Sequence, residues 1–167
     1  MDVCYNEVIP MTKKKWFIYA IGILSAEAVG GLSALLTHGA MQSFSQTVQQ
    51  PPLSPPMVLF PIVWSILYAL MGIGAARIWM SPPSADRTKA LNIYVAQLIV
   101  NFFWSLLFFN ARAYGFALLW LLLLWLLVLW MILSFRKVDP LAAWLQVPYL
   151  LWLTFAAYLN AGIWLLN

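Results

Sequence analysis

The sequence predicts an all-α integral membrane protein, a single domain built as a five-transmembrane-helix bundle. Composition is the first reason. The chain is 64% hydrophobic and 8% charged, with a mean hydropathy of +0.86, and a soluble fold of 167 residues has no interior large enough for that much apolar surface. Spacing is the second. Charges and prolines fall in clusters, and the apolar stretches between them each exceed the roughly 20 residues that span a hydrocarbon core of about 30 Å. Such spans use nearly the whole chain and leave no room for a soluble domain.

The elements follow in order. Met1–Thr12 is a polar lead-in, and Lys13-Lys14-Lys15 abuts a first span expected over about residues 16–36. Ala26-Glu27-Ala28 after this basic and apolar start resembles a signal-peptide cleavage site, but the apolar run continues through Leu36. Gly22, Ala26, Gly30 and Ala34 recur every four residues, a small-residue stripe that lets a neighbouring helix approach closely. Residues 37–56 are expected to form a loop. It contains no lysine or arginine and ends in Pro51-Pro52-Leu53-Ser54-Pro55-Pro56, a stretch stiffened by prolines that fix φ and lack amide donors. The second span is expected over 57–80, the third over 89–110, the fourth over 114–135 and the fifth over 141–166, joined by short turns at Pro82-Pro83, Arg112 and Asp139-Pro140.

Cations report topology rather than a nucleic-acid partner. With the N-terminus inside, eight of the nine cations (Lys13, Lys14, Lys15, Arg77, Arg87, Lys89, Arg136 and Lys137) lie on the inner side, and only Arg112 lies outside. Trp16, Trp79, Trp144 and Trp164 fall near span ends, where amphipathic rings favour the interface. The single cysteine, Cys4, forbids an intramolecular disulfide and a cysteine-based metal site. His38 stands alone and reads as a solvated residue rather than a metal or haem ligand.

Polar groups inside spans are costly and need a reason. Gln97, Asn101, Trp104, Ser105 and Phe108 share one face of the third span, Pro148, Trp152, Ala156 and Asn160 are expected on one face of the fifth by the same spacing, and Trp64 and Tyr68 lie one turn apart on the second. Two readings stay open. One is interhelical hydrogen bonding and aromatic packing, at about 0.6–2 kcal/mol per polar contact. The other is a flat, aromatic-walled pocket for a planar lipophilic ligand, with amides to orient it. Glu27, the one acid at depth, has no evident partner. No Ser/His/Asp set, phosphate loop or paired intramembrane carboxylates occur.

These motifs resemble the TspO/MBR family, the tryptophan-rich sensory proteins of bacteria and the translocator protein or peripheral-type benzodiazepine receptor of mitochondria. The resemblance rests on Pro51-Pro52-Leu53-Ser54-Pro55-Pro56 with Phe60-Pro61-Ile62-Val63-Trp64 and Tyr68, then Asn101-Phe102-Phe103-Trp104-Ser105 with Phe108-Phe109, then Pro148-Tyr149-Leu150-Leu151-Trp152 with Ala156 and Asn160. It implies a five-helix bundle in the plasma membrane of a bacterium, commonly a homodimer, with the first loop closing a pocket. It implies porphyrin ligands such as protoporphyrin IX or haem, with no required cofactor, and sterols or benzodiazepine-site drugs in some members. Trp64, Tyr68, Asn101, Trp152 and Ala156 match pocket positions. Trp64 and Trp152 also match tryptophans on which light-dependent porphyrin degradation depends in some bacterial members. Three functions follow as alternatives: a receptor or transporter-like binder in tetrapyrrole or stress regulation, a light-dependent porphyrin-degrading enzyme, or a small membrane subunit acting through protein partners. A porphyrin's two propionates must stay near water or pair with a cation. Arg112 is expected to anchor one, or else to be a solvated turn residue. The chain departs from the family at Phe44-Ser45, where many members carry an aromatic pair. It departs again at Gln50-Pro51-Pro52-Leu53, which replaces Lys-Pro-x-Trp, and after Tyr158, where no basic residue follows to complete a sterol motif.

Overall fold

The computed structural model describes residues 11–167, so residues 1–10 of the polar lead-in, Cys4 among them, lie outside the described residues. Six helices follow: α1 (Met11–Thr47), α2 (Leu59–Met80), α3 (Ala85–Ser105), α4 (Tyr114–Val138), α5 (Pro140–Trp144) and α6 (Val147–Leu166). A π-helical turn, Leu106–Asn110, extends α3. Five units are long and apolar enough to cross a membrane: Lys15–Thr47, Leu59–Met80, Ala85–Asn110, Tyr114–Val138 and Pro140–Leu166. Around the bundle α1 packs on α2 and α3, α3 on α4, α4 on α5 and α6, and α2 on α5.

Local chemistry sets most boundaries. The Ser84 side chain accepts from the Arg87 amide at 3.1 Å and starts α3, four residues before the expected Lys89. Asp139 caps α5 by accepting from the Leu141 and Ala142 amides at 2.9 and 3.2 Å, with Pro140 at the first helical position. The fifth span is not one helix. Pro148 has no N–H to bond the Trp144 carbonyl, and α5 stops at Trp144. The buried Gln146 fills the break, its Nε2 donating to the Leu70 and Ala142 carbonyls at 3.3 and 3.2 Å.

The largest correction concerns the first span and its loop. Helix α1 does not end at Leu36 but runs to Thr47, so the loop is residues 48–58 rather than 37–56, and His38 is an exposed helical residue. Tertiary contacts hold these polar turns helical. Phe44 is buried against Phe108, Phe109 and Tyr114 at ring separations of 5.4, 5.3 and 6.4 Å, and Asn110 Nδ2 donates to the Leu36 carbonyl at 3.1 Å.

In the half of the bundle near the chain's basic clusters, two helices approach through their main chains. Gly22 and Gly72 bring the backbones of α1 and α2 together, and a Cβ on either would strike the other helix's main chain. Gly30 lies under the Tyr68 ring and Gly74 faces Gln146. Ala34, the last member of the expected stripe, is exposed. The buried line on α1 runs Ala26, Ser33, Thr37 and Phe44. Arg77 Nη2 pairs with Asp139 Oδ2 at 2.7 Å, tying the end of α2 to the α4–α5 turn. Trp16, Trp79, Trp144 and Trp164 are all exposed at span ends.

Candidate ligand site

The half of the bundle nearer the proline loop is built from rings and amides. On α2, Trp64 and Tyr68 lie one turn apart with centroids 5.5 Å apart and planes tilted by 32°. Tyr149, from the first turn of α6, meets Trp64 at 6.1 Å and 66°. Its hydroxyl joins two amides of α3: Asn101 Nδ2 donates to Tyr149 Oη at 2.9 Å, and that hydroxyl donates to Gln97 Oε1 at 3.2 Å. Gln97 Nε2 faces Met71 Sδ at 3.7 Å. Gln97, Asn101 and Tyr149 are buried to 0%, 1% and 0% exposure, so Asn101 Nδ2 and Gln97 Oε1 depend on the shared phenol for their hydrogen bonds.

A second cluster sits beside the first, nearer the loop. Trp104 stacks on Phe108 at 5.1 Å and 25°, and its Nε1 donates to Asn160 Oδ1 at 3.4 Å. Asn160 Nδ2 donates in turn to the Tyr114 carbonyl at 2.8 Å, linking α3, α4 and α6. The π turn allows Phe108 and Phe109 both to reach Phe44, because its wider ring shifts the residues after Ser105 around the helix.

The expected site residues therefore divide. Trp64, Tyr68, Gln97 and Asn101 converge through Tyr149, while Trp104, Phe108 and Asn160 form the second cluster. Ala156 is buried in the core on α6. Trp152 is half-buried at the α2–α6 edge, against Phe60 at 5.9 Å and Phe155 at 5.7 Å. Two residues stay apart. Pro148 is exposed on α6. Arg112 is exposed with φ 51°, and its Nη2 donates to Ser43 Oγ of α1 at 2.8 Å.

The expectations missed Tyr149, Phe44, Phe60 and Tyr114. For Tyr149 the signal was present. Steps of four residues drift about 40° around a helix, so Pro148 lies about 120° from Asn160, whereas Tyr149, eleven residues away, lies within about 20°.

The loop closes this end. Pro51 is buried against Gly162, Tyr158 Oη donates to the Pro52 carbonyl at 2.9 Å, and Asn167 exchanges bonds of 3.0 Å with the Gln49 amide and carbonyl. The Ser54 amide closes a turn on the Pro51 carbonyl at 3.3 Å, with Leu53 at φ 66°.

A five-span helical membrane protein with tryptophans, tyrosines and amides gathered under a proline loop is the class that fold and geometry define. The TspO/MBR family model matches residues 21–165, and the chain belongs to that family. It is 35% identical over 151 residues to the translocator protein of Bos taurus, covering 89% of each chain. It is 33% identical over 151 residues to protein CrtK of Rhodobacter capsulatus, covering 90% of this chain and 92% of that one. With the tryptophan-rich protein TspO of Chlorobaculum tepidum it shares 33% identity over 141 residues, or 84% of this chain and 89% of the relative.

Proposed function

We propose that this protein is a receptor or transporter-like binder of porphyrins such as protoporphyrin IX and haem, and of related planar lipophilic molecules. It acts as a homodimer in a bacterial plasma membrane, with its N-terminus in the cytoplasm. The observation that carries the reading is the convergence of the Trp64, Tyr68 and Tyr149 rings with the Gln97 and Asn101 amides, beneath a loop tied to α6. Flat rings supply stacking area, and amides supply a few oriented polar contacts. Bacterial relatives such as protein CrtK support the bacterial membrane, and the concentration of eight of the nine cations on one side supports the orientation.

The test is a titration of the purified protein with protoporphyrin IX in the dark, following tryptophan fluorescence. Saturable quenching is expected, and Asn101→Ala should weaken it by about 1–3 kcal/mol where the amide meets ligand polar atoms. A variant that loses thermal stability yet keeps the parent's affinity would remove Asn101 from the site. Absence of saturable binding would overturn the reading, and a light- and oxygen-dependent change in the porphyrin spectrum would favour degradation through Trp64 and Trp152. For topology, a cysteine at Gln49 should react with an impermeant reagent on intact cells. Labelling only after lysis would reverse the orientation.

A further inference from the structure

At the other end of the molecule, two adjoining surface depressions of about 580 Å³ each meet at Lys89 and Trp130. The first lies between α3 and α4, with Thr88 and Asn92 near its mouth and Ala96 and Leu127 deeper along it. The second is lined by Ser134, Arg136 and Lys137 at the end of α4. Helices α3 and α4 run antiparallel, so the first turns of one stand beside the last turns of the other. The distance from Lys89 to Ala96 along α3 is about 10 Å, so the groove leads from a cationic rim down an apolar wall. Trp130, 48% exposed, sits at the junction with Lys89 Nζ 5.4 Å above its ring.

The charges at this rim are distinguished by what they do not touch. Arg77 is held by Asp139, and Arg87 lies over Trp79 at 5.1 Å. Among the described residues Lys89, Arg136 and Lys137 form no ion pair, and Asp86, one turn before Lys89, pairs with none of them. Three cations, two hydroxyls and an amide thus surround an interfacial tryptophan, immediately above an apolar groove that opens toward the acyl chains.

We propose that this groove is a binding site for an anionic phospholipid. The headgroup phosphate is held by Lys89, Arg136 and Lys137, and an acyl chain lies along Ala96 and Leu127. Charge complementarity selects the lipid over a zwitterionic one, and the apolar wall selects a lipid over a free anion. The site is separate from the porphyrin reading and stands or falls independently of it.

The test uses the full chain reconstituted in phosphatidylcholine vesicles at low ionic strength. Quenching of tryptophan fluorescence by acyl-brominated phosphatidylglycerol is compared with quenching by acyl-brominated phosphatidylcholine. The parent should favour the anionic lipid, with each rim cation contributing up to about fivefold. Trp130→Phe should remove the component specific to phosphatidylglycerol, and the combined Lys89→Gln, Arg136→Gln, Lys137→Gln variant should be quenched equally by both lipids. Circular dichroism checks its fold, and should it not fold, Lys89→Gln alone carries the comparison. Equal quenching of the parent by both lipids overturns the proposal, as does a preference that survives the rim substitutions. Loss of the parent's preference on adding inorganic phosphate would make the groove a free-anion site and overturn the lipid.

Discussion

The two halves of this bundle are held together by different means. In the half near the basic clusters, main chain meets main chain at Gly22 and Gly72, Gln146 fills the space against Gly74, and Arg77 pairs with Asp139. In the half near the proline loop, the contacts are between rings and amides: Trp64 with Tyr149, Trp104 with Asn160, Trp152 with Phe60. Apolar burial alone favours neither half, because lipid tails are as apolar as leucine and association rests on packing and hydrogen bonds. Backbone contact leaves no side chain to rotate. On the proposed reading, ring and amide contacts are exchanged for equivalent contacts to a flat guest by rotation about χ angles. One half would then be rigid and the other would exchange ligand, and substitutions can break or sharpen that contrast.

The largest effect is expected from Gly72→Leu. A side chain there meets the Gly22 backbone rather than a movable side chain. Overpacking against main chain should cost about 3 kcal/mol or more, read as a large fall in thermal stability in detergent. A variant as stable as the parent would show that α1 and α2 can separate, and the rigid half would lose its basis.

Tyr149→Phe comes next. It leaves Asn101 Nδ2 and Gln97 Oε1 without their shared hydroxyl while keeping the ring. Interhelical hydrogen bonds in membranes average about 0.6 kcal/mol, but here one deletion orphans two fully buried groups, and about 2 kcal/mol is expected. Porphyrin affinity should hold or rise, since the Asn101 amide becomes available to a ligand. A fall in affinity comparable with that of Asn101→Ala would instead make the Tyr149 hydroxyl a ligand contact.

These two sites also show how far the residues themselves reveal the fold. Five spans and the interfacial tryptophans follow from composition, and the buried face of α3 follows from i+3 and i+4 spacing, whereas the Ser84 cap that starts α3 four residues early was not read. Steps of four alone misplace the ends of a stripe. The same drift of about 120° over twelve residues puts Ala34 and Pro148 on exposed faces, while steps of seven and four pick out Ala26, Ser33, Thr37 and Phe44 on α1. The continuation of α1 to Thr47 was not legible, because the residues after Leu36 are polar and their helix depends on Phe44 meeting rings from α3 and α4. The Asn101–Tyr149–Gln97 bridge is likewise a property of three-dimensional packing. The residue pattern singled out Gln97 and Asn101 but neither Tyr149 nor the pairing.

A smaller effect separates two functions of one residue. Asp139 both pairs with Arg77 and caps α5. Asp139→Ala should cost about 1.5 kcal/mol, of which the cap supplies about 1, whereas Arg77→Gln should cost at most about 1 kcal/mol for a partly exposed pair. Equal losses of thermal stability would mean that the ion pair, not the cap, organises this end.

The smallest effect is a gain, at the loop. Leu53 sits third in the turn from Pro51 to Ser54 with φ 66°, a position that favours glycine after a proline. Its side chain is 81% exposed, so replacing it forfeits little packing. The left-handed conformation costs a non-glycine residue about 1–2 kcal/mol, and the greater chain entropy of glycine returns about 0.5–1 kcal/mol of that. Leu53→Gly should therefore raise stability by about 0.5 kcal/mol, measured as a small rise in Tm. The loop is already held by Pro51 on Gly162 and by Tyr158 on Pro52, so protoporphyrin affinity should not change. If stability rises while affinity falls, the strained leucine contacts the guest, and the ligand-exchanging half extends outward from the helices into the loop.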